Sequence, residues 1–98
     1  MTYLSYLNTK KSIEIKNKNW VTANELSLDI ITTADNMASN HINHNKNGLT
    51  ELVKYQLLAY SSFLESSMMI YKDYGKRLCD RFIKKGQKLI TKSKLNIK

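Results

Sequence analysis

The sequence contains no proline, three glycines and one cysteine among its 98 residues. Proline breaks helices and glycine weakens them, so their scarcity favours long uninterrupted helices. The sequence also lacks alternating runs of β-branched residues bounded by turn dipeptides, which are typical of strands. A single cysteine excludes an internal disulfide and a thiolate metal cluster, and it fits a reducing compartment. We therefore predict an all-α protein.

Long apolar runs and a charged N-terminal leader are also missing. No apolar run approaches the roughly 20 residues that are needed to span a bilayer. The opening residues MTYLS lack the charged start and the apolar block of a signal peptide. The composition, 42% apolar and 24% charged, is typical of a globular chain. We expect one cytoplasmic domain with a small core, and a partner or a second copy can complete that core.

The formal net charge of +8 is concentrated at one end of the chain. Residues 76–98 contain nine Lys and Arg residues and one acidic residue, Asp80. The formal charges of the rest of the chain therefore sum to zero. We expect a helical domain at residues 1–85 and a basic tail at residues 86–98. The predicted basic patch consists of Lys76, Arg77, Arg81, Lys84, Lys85 and Lys88. Phosphates, an acidic protein surface and an anionic membrane all fit such a patch.

Apolar periodicity predicts two helices in the first half of the chain, at residues 2–16 and 20–42. The second helix has two candidate starts. Asn19 is a suitable N-cap, whereas Thr22 and Glu25 have the spacing of a capping box.

An Asn-rich loop at residues 43–48 precedes one long helix, which we expect Thr50 to cap and Gly86 to end. The serine-rich residues 61–67 and Gly75 are alternative positions for a bend in this helix. A short loop between two long helices makes them antiparallel neighbours. The predicted fold is an elongated antiparallel helical hairpin or a three-helix bundle, either monomeric or dimeric.

Large apolar residues recur three or four positions apart along the long helix, except where Gly75 intervenes, and we predict that they form the core. This stripe consists of Val53, Leu57, Tyr60, Leu64, Met68, Tyr71, Leu78 and Phe82. The second helix is expected to contribute Trp20, Ile30, Ile31, Ala34 and Met37. Burial of the stripe predicts that Leu64→Ala lowers the free energy of unfolding by about 2–5 kcal/mol.

No constellation of residues for catalysis or metal binding is recognisable in the sequence. His41 and His44 lie three residues apart, but no neighbouring Cys, Asp or Glu offers the further ligands that zinc needs. Cys79 lies near cations that can lower the pKa of a thiol, yet it adjoins Leu78 of the stripe and has no His nearby. We expect solvated histidines, an inert thiol, no cofactor and no enzymatic activity.

Tyrosine and methionine residues of the long helix form the candidate partner site: Tyr55, Met68, Met69 and Tyr74. These residue types are common at protein interfaces, although core packing explains them equally well. The predicted function is an adaptor that buries a partner's amphipathic helix in an apolar groove. The alternative is a small basic regulatory protein associated with nucleic acid. Between roughly 50 and 200 mM salt, groove binding should weaken little, whereas binding to several phosphates should weaken by orders of magnitude.

The order of these elements resembles that of the FliT-type flagellar export chaperones, which serve a type III secretion system. The resemblance covers residues 20–82 and is carried by Asn19-Trp20, by Leu26, Ile30, Ile31 and Ala34, and by the long stripe from Leu49. It implies a small cytoplasmic helical protein that binds the apolar end of a secretion substrate, with transcription regulation as an additional implied role. It assigns no individual binding residue.

Overall fold

The computed structural model describes residues 2–40 and 46–92, and every regular element in these ranges is an α-helix. The helices are α1 (Tyr3–Lys16), α2 (Trp20–Asn40), α3 (Lys46–Tyr74) and α4 (Lys76–Lys92). The all-α prediction is confirmed. The described residues form four helices in place of the three expected, because the long helix is divided at Gly75. The body measures 44 × 27 × 16 Å along its principal axes.

The link between α1 and α2 is a tight three-residue connection. Lys18 has a φ of 60°, in the left-handed region, which turns the chain sharply. The carbonyl oxygen of Asn19 accepts a hydrogen bond from the Ala23 backbone N–H at 2.9 Å. The second helix therefore begins at Trp20, and the alternative start at Thr22 is wrong.

The start of α3 lies further upstream than the sequence predicted. Residues 46–48 of the predicted loop belong to this helix, and the rest of that loop lies outside the described residues. Thr50 consequently lies inside the helix, and its predicted role as the cap is wrong. A helix can include the Asn-Gly dipeptide, because a glycine in a helix interior costs only about 1 kcal/mol of stability relative to alanine. From there α3 continues without interruption through the serine-rich residues 61–67.

Gly75 ends α3 and redirects the chain. Its φ of +96° is a conformation that residues with a Cβ rarely adopt. Its backbone N–H donates to the Tyr71 carbonyl at 2.9 Å, and α4 begins at the next residue. The fourth helix then folds back along the second half of α3, where the Cys79 thiol donates to the Ser67 carbonyl at 3.3 Å. Of the two predicted bend positions, Gly75 is the one at which the helix breaks.

The buried face of α3 lies one residue before the predicted stripe. It consists of Leu52, Gln56, Ala59, Phe63, Ser66, Ser67 and Ile70. One residue corresponds to about 100° of rotation around a helix. Four predicted core residues are exposed in consequence: Leu57, Leu64, Met68 and Tyr71, by 46% to 72%. Their assignment to the core is wrong, and the large effect expected for Leu64→Ala does not apply.

Small and polar residues on the buried face explain this shift. They let α2 approach α3 closely, and their polar groups are used in hydrogen bonds between the helices. Gln56 Nε2 donates to the Ile31 carbonyl at 2.9 Å. Asn24 Nδ2 lies 3.0 Å from the hydroxyl oxygens of both Ser66 and Ser67. A pattern based on hydrophobicity gives more weight to the larger apolar residues of the neighbouring face. It therefore assigns the wrong face of α3 to the core.

The second helix occupies the centre of the fold and packs against α1, α3 and α4. Its predicted core residues Ile30, Ile31 and Ala34 are buried, which confirms them. Trp20 and Met37 are only half-buried. The sequence therefore predicted the aliphatic part of the buried face of α2, but not the buried polar residues Asn24 and Ser27 of the same helix.

Gly86 lies in the interior of α4 and is buried, so the prediction that it ends a helix is wrong. The helix continues to Lys92, although a basic tail was expected from residue 86 onward. Leu89 and Ile90 of this continuation pack against the core. A Cβ on Gly86 would overlap the ring of Phe63, so glycine is required here for close packing and not for a left-handed turn.

We expect Gly86→Ala to lower the free energy of unfolding by about 1 kcal/mol, although alanine is the better helix former. The overlap with the Phe63 ring outweighs the gain in helix propensity. In a Phe63→Ala background the ring is absent, and the same change should become stabilising. A double-mutant cycle measured by urea denaturation tests this reversal. Additive effects of the two substitutions would contradict the contact.

Candidate functional site

An apolar groove of about 580 Å³ lies between α3 and α4. It is lined by Tyr60, Phe63, Leu64, Ser67, Met68 and Tyr71 of α3 and by Cys79, Ile83, Gln87 and Ile90 of α4. The floor includes the buried side chains of Phe63 and Cys79. The α3 wall includes Leu64, Met68 and Tyr71, which are 46%, 72% and 55% exposed. Large apolar side chains thus surround a cleft that no described segment of the chain fills.

Two glycines place α4 where the groove can form. Gly75 returns the chain over α3, and Gly86 allows the helix to touch the Phe63 ring. Beyond this close contact the two helices carry longer side chains, such as Tyr60 and Ile83, which line the cleft between them. The exposed face of α3 that the sequence assigned to the core is therefore one wall of the groove.

The Cys79 thiol in the groove floor is not suited to nucleophilic chemistry. Burial raises its pKa, and the neighbouring carboxylate of Asp80 raises it further. A thiol with a raised pKa stays protonated at neutral pH, and the thiolate is the reactive form. Its proton is directed to the Ser67 carbonyl. Cys79 therefore acts as a packing residue that links the two helices.

The described residues form neither a metal site nor a membrane-spanning helix. Within residues 2–40 and 46–92, no three His, Cys, Asp or Glu side chains are grouped so that they could hold a metal ion. His41 and His44 lie outside these ranges. In the same ranges, no helix combines the length and the mean hydropathy that are required to cross a bilayer.

The structure brings one of the four predicted partner-binding residues into the groove. Met68 lines it and is the most exposed of its apolar side chains. Tyr55 is half-buried and packs against the core instead. Met69 is half-buried, and Tyr74 is exposed at the end of α3, but neither lines the groove.

The predicted basic patch is exposed along α4. Arg81 and Lys85 line a small depression. Lys84 and Lys88 line another depression, together with Gln87. Gln87 also lines the groove, whereas none of the six residues of the basic patch does.

Sequence reasoning missed the contribution of α4 to the groove. Gln87 and Ile90 were not predicted because residues from 86 onward were expected to form a tail, and Ile83 lies outside the predicted stripe. The spacing of Cys79, Ile83 and Ile90, by four and seven residues, places them on one helix face and is the signal that could have found them.

One charged side chain of α1 is buried: Lys11 is 4% exposed. Burial lowers the pKa of the Lys11 ammonium group, and the negative charge of Glu65 partly opposes this effect.

No protein-family model, curated protein or solved structure matches this chain. The resemblance to the FliT-type chaperones accordingly stays a prediction from the sequence.

Proposed function

We propose that this protein is a non-enzymatic adaptor that holds the apolar face of a partner helix in the groove between α3 and α4. The observation that carries the proposal is the exposure of Leu64, Met68 and Tyr71 beside the buried floor. Contiguous exposed apolar surface is uncommon on monomeric proteins and is typical of interaction sites. An amphipathic helix recognises such a groove through apolar residues at positions i, i+3, i+4 and i+7.

The more specific form of the proposal is a cytoplasmic chaperone for a secretion substrate. The pattern-level resemblance to the FliT-type flagellar export chaperones supports it. In this form the partner is the apolar end of an exported protein. Binding alone performs this function, so it requires no acid, base or nucleophile.

The alternative function is a basic regulatory protein that binds nucleic acid through α4. The exposed cations of this helix favour it, since phosphate contacts depend on Lys and Arg. The two functions differ in which surface they use. Groove binding depends on apolar residues of α3, whereas phosphate binding depends on the cations of α4 and falls steeply with salt.

We expect Leu64→Glu to weaken the binding of an amphipathic helical peptide by about tenfold or more, since it places a charge in an apolar site. The probe is a fluorescent peptide with Leu at positions i, i+3, i+4 and i+7 and neutral Gln elsewhere. Its affinity for the full chain is measured by fluorescence anisotropy.

Leu58→Glu is the matched control for this substitution. Leu58 lies on the same helix and is 46% exposed, as Leu64 is, but it does not line the groove. Both variants replace Leu with Glu, so they introduce the same charge, and both Leu and Glu are good helix formers. Equal effects of the two variants, or no binding of the peptide to the unaltered chain, would contradict the proposed function. Salt-sensitive binding of an unrelated DNA duplex in place of the peptide would favour the alternative.

A further inference from the structure

The exposed apolar surface of α3 extends beyond the groove. Leu57 is 51% exposed and lies on the same side of the helix as Leu64, although it does not line the groove. We call this surface the outer face of α3, and it consists of Val53, Leu57, Tyr60, Leu64, Met68 and Tyr71. Between residues 50 and 71, every charged residue lies at least about 80° around the helix from Leu64. The outer face is therefore a continuous uncharged surface about 27 Å long.

The spacing of residues on the outer face is symmetric about the point between residues 60 and 61. Leu57 and Leu64 lie equally far from this point on its two sides, and so do Val53 and Met68. A two-fold axis at this point would place an antiparallel second copy of α3 so that Leu57 meets Leu64 and Val53 meets Met68. Each contact would then occur twice, as in every interface between two identical surfaces. Apolar residues three or four positions apart are also the pattern with which paired helices interlock.

Four exposed charged residues follow one flank of the outer face: Glu51, Lys54, Glu65 and Lys72. A two-fold axis perpendicular to both helices brings this flank of one copy beside the same flank of the other. Lys54 then lies two residues from the position opposite Glu65, and Glu51 lies two residues from the position opposite Lys72. Two residues correspond to about 3 Å along a helix, a distance that these side chains can span. The antiparallel arrangement therefore pairs opposite charges along the flank.

We infer that two copies of this chain associate through the outer faces of their α3 helices, antiparallel about a two-fold axis between residues 60 and 61. The inference rests on the proposed function in treating the groove wall as a helix-binding surface, and it names α3 of a second copy as the helix that binds there. Burial of the outer face contributes most of the affinity. The charged flank fixes the orientation of the two helices. Because Leu64 and Met68 are covered in the dimer, an amphipathic peptide should compete with self-association.

Sedimentation velocity of the full chain over a range of concentrations tests the inference. We expect a reversible equilibrium between monomer and dimer. Leu57→Glu should weaken the dimer by about tenfold or more, since it places two charges in the apolar contact. Leu58→Glu is the matched control, because Leu58 is 46% exposed but lies about 100° further round the helix. A chain that stays monomeric at all concentrations, or equal effects of the two variants, would overturn the inference.

The charged flank is tested by Lys54→Glu/Lys72→Glu. This variant makes all four charges of the flank negative and should weaken the dimer by about tenfold at roughly 50 mM salt. Lys10→Glu/Lys16→Glu changes the net charge equally at exposed positions of α1 and should not weaken the dimer. Equal weakening by both variants would contradict the pairing of charges along α3 and overturn the inference.

Disulfide cross-linking tests the orientation of the two helices. Ser61 is exposed and lies beside the two-fold axis, so mild oxidation of Ser61→Cys should link the two copies. In an antiparallel dimer, the two thiols of Val53→Cys would be about 22 Å apart and should not link. The unaltered chain, in which Cys79 is buried, is the blank. Linkage of Val53→Cys as efficient as that of Ser61→Cys would indicate parallel helices and overturn the inference.

Leu57→Glu also separates the inference from the proposed function, because Leu57 does not line the groove. This variant should bind the amphipathic Leu/Gln peptide no less tightly than the unaltered chain, since a second copy no longer competes. Peptide binding without self-association would overturn the inference and leave the proposed function in place. Self-association without peptide binding would overturn the proposed function and support the inference.

Discussion

Phe63→Ala is expected to lower the free energy of unfolding by about 3–5 kcal/mol. The ring is 2% exposed and lies in the core cluster against the backbone of Gly86. Its removal leaves a cavity at the junction of α3 and α4, which are joined elsewhere by the short turn at Gly75. Urea denaturation followed by circular dichroism measures the change.

Leu64→Ala is the internal control for this prediction. Leu64 is the next residue along α3, yet it is 46% exposed because it lies about 100° further round the helix. Its truncation should cost about 1 kcal/mol or less. A larger loss of stability for Leu64→Ala than for Phe63→Ala would show that the predicted stripe, and not the observed face, forms the core.

Asn24→Ala is expected to lower the free energy of unfolding by about 1–3 kcal/mol, the usual effect of leaving buried polar groups unpaired. The Asn24 amide is fully buried between α2 and α3 and donates to oxygen atoms of Phe63, Ser66 and Ser67. Without it, the Ser66 and Ser67 hydroxyl groups lose a hydrogen-bond donor at a buried interface.

Asn36→Ala is the matched control, because Asn36 is an exposed residue of the same helix. It should change the stability by less than about 0.5 kcal/mol. Thermal and urea denaturation of both variants measure the difference between them. Equal effects would mean that the amide does not stabilise the contact between α2 and α3.

The fold class and the aliphatic face of α2 could be predicted because they follow from local rules. Scarce helix breakers favoured helices, and Ile30, Ile31 and Ala34 form a face that hydrophobicity alone identifies. Gly75 was one of two predicted positions for a bend in the long helix. Its positive φ and the return of α4 along α3 could not be predicted, because neither follows from a local sequence pattern.

The rotation of α3 could not be predicted for a physical reason. Its buried face contains Gln56, Ala59, Ser66 and Ser67, whose burial depends on partners in α2 that are more than twenty residues distant in sequence. The larger apolar residues one position later lie in the groove and remain exposed. A pattern based on hydrophobicity cannot distinguish an apolar core face from an apolar binding face.

Gly86 shows the same limit for α4. In sequence, a glycine after two lysines is typical of a helix end. In the structure it is the site of closest approach to Phe63, a contact between residues 23 positions apart. The groove residues that follow it were missed for this reason.

The most direct test of the central claim is a methyl NMR titration of the full chain with the amphipathic peptide that carries Leu at positions i, i+3, i+4 and i+7 and Gln elsewhere. The chain has four methionines, which can be labelled selectively. We predict that the Met68 methyl signal shifts most, because this side chain lines the groove and is 72% exposed. The methyl signal of Met37, which packs against the core, should not shift. Peptide binding that leaves the Met68 signal unchanged would contradict the claim that the groove is the partner site.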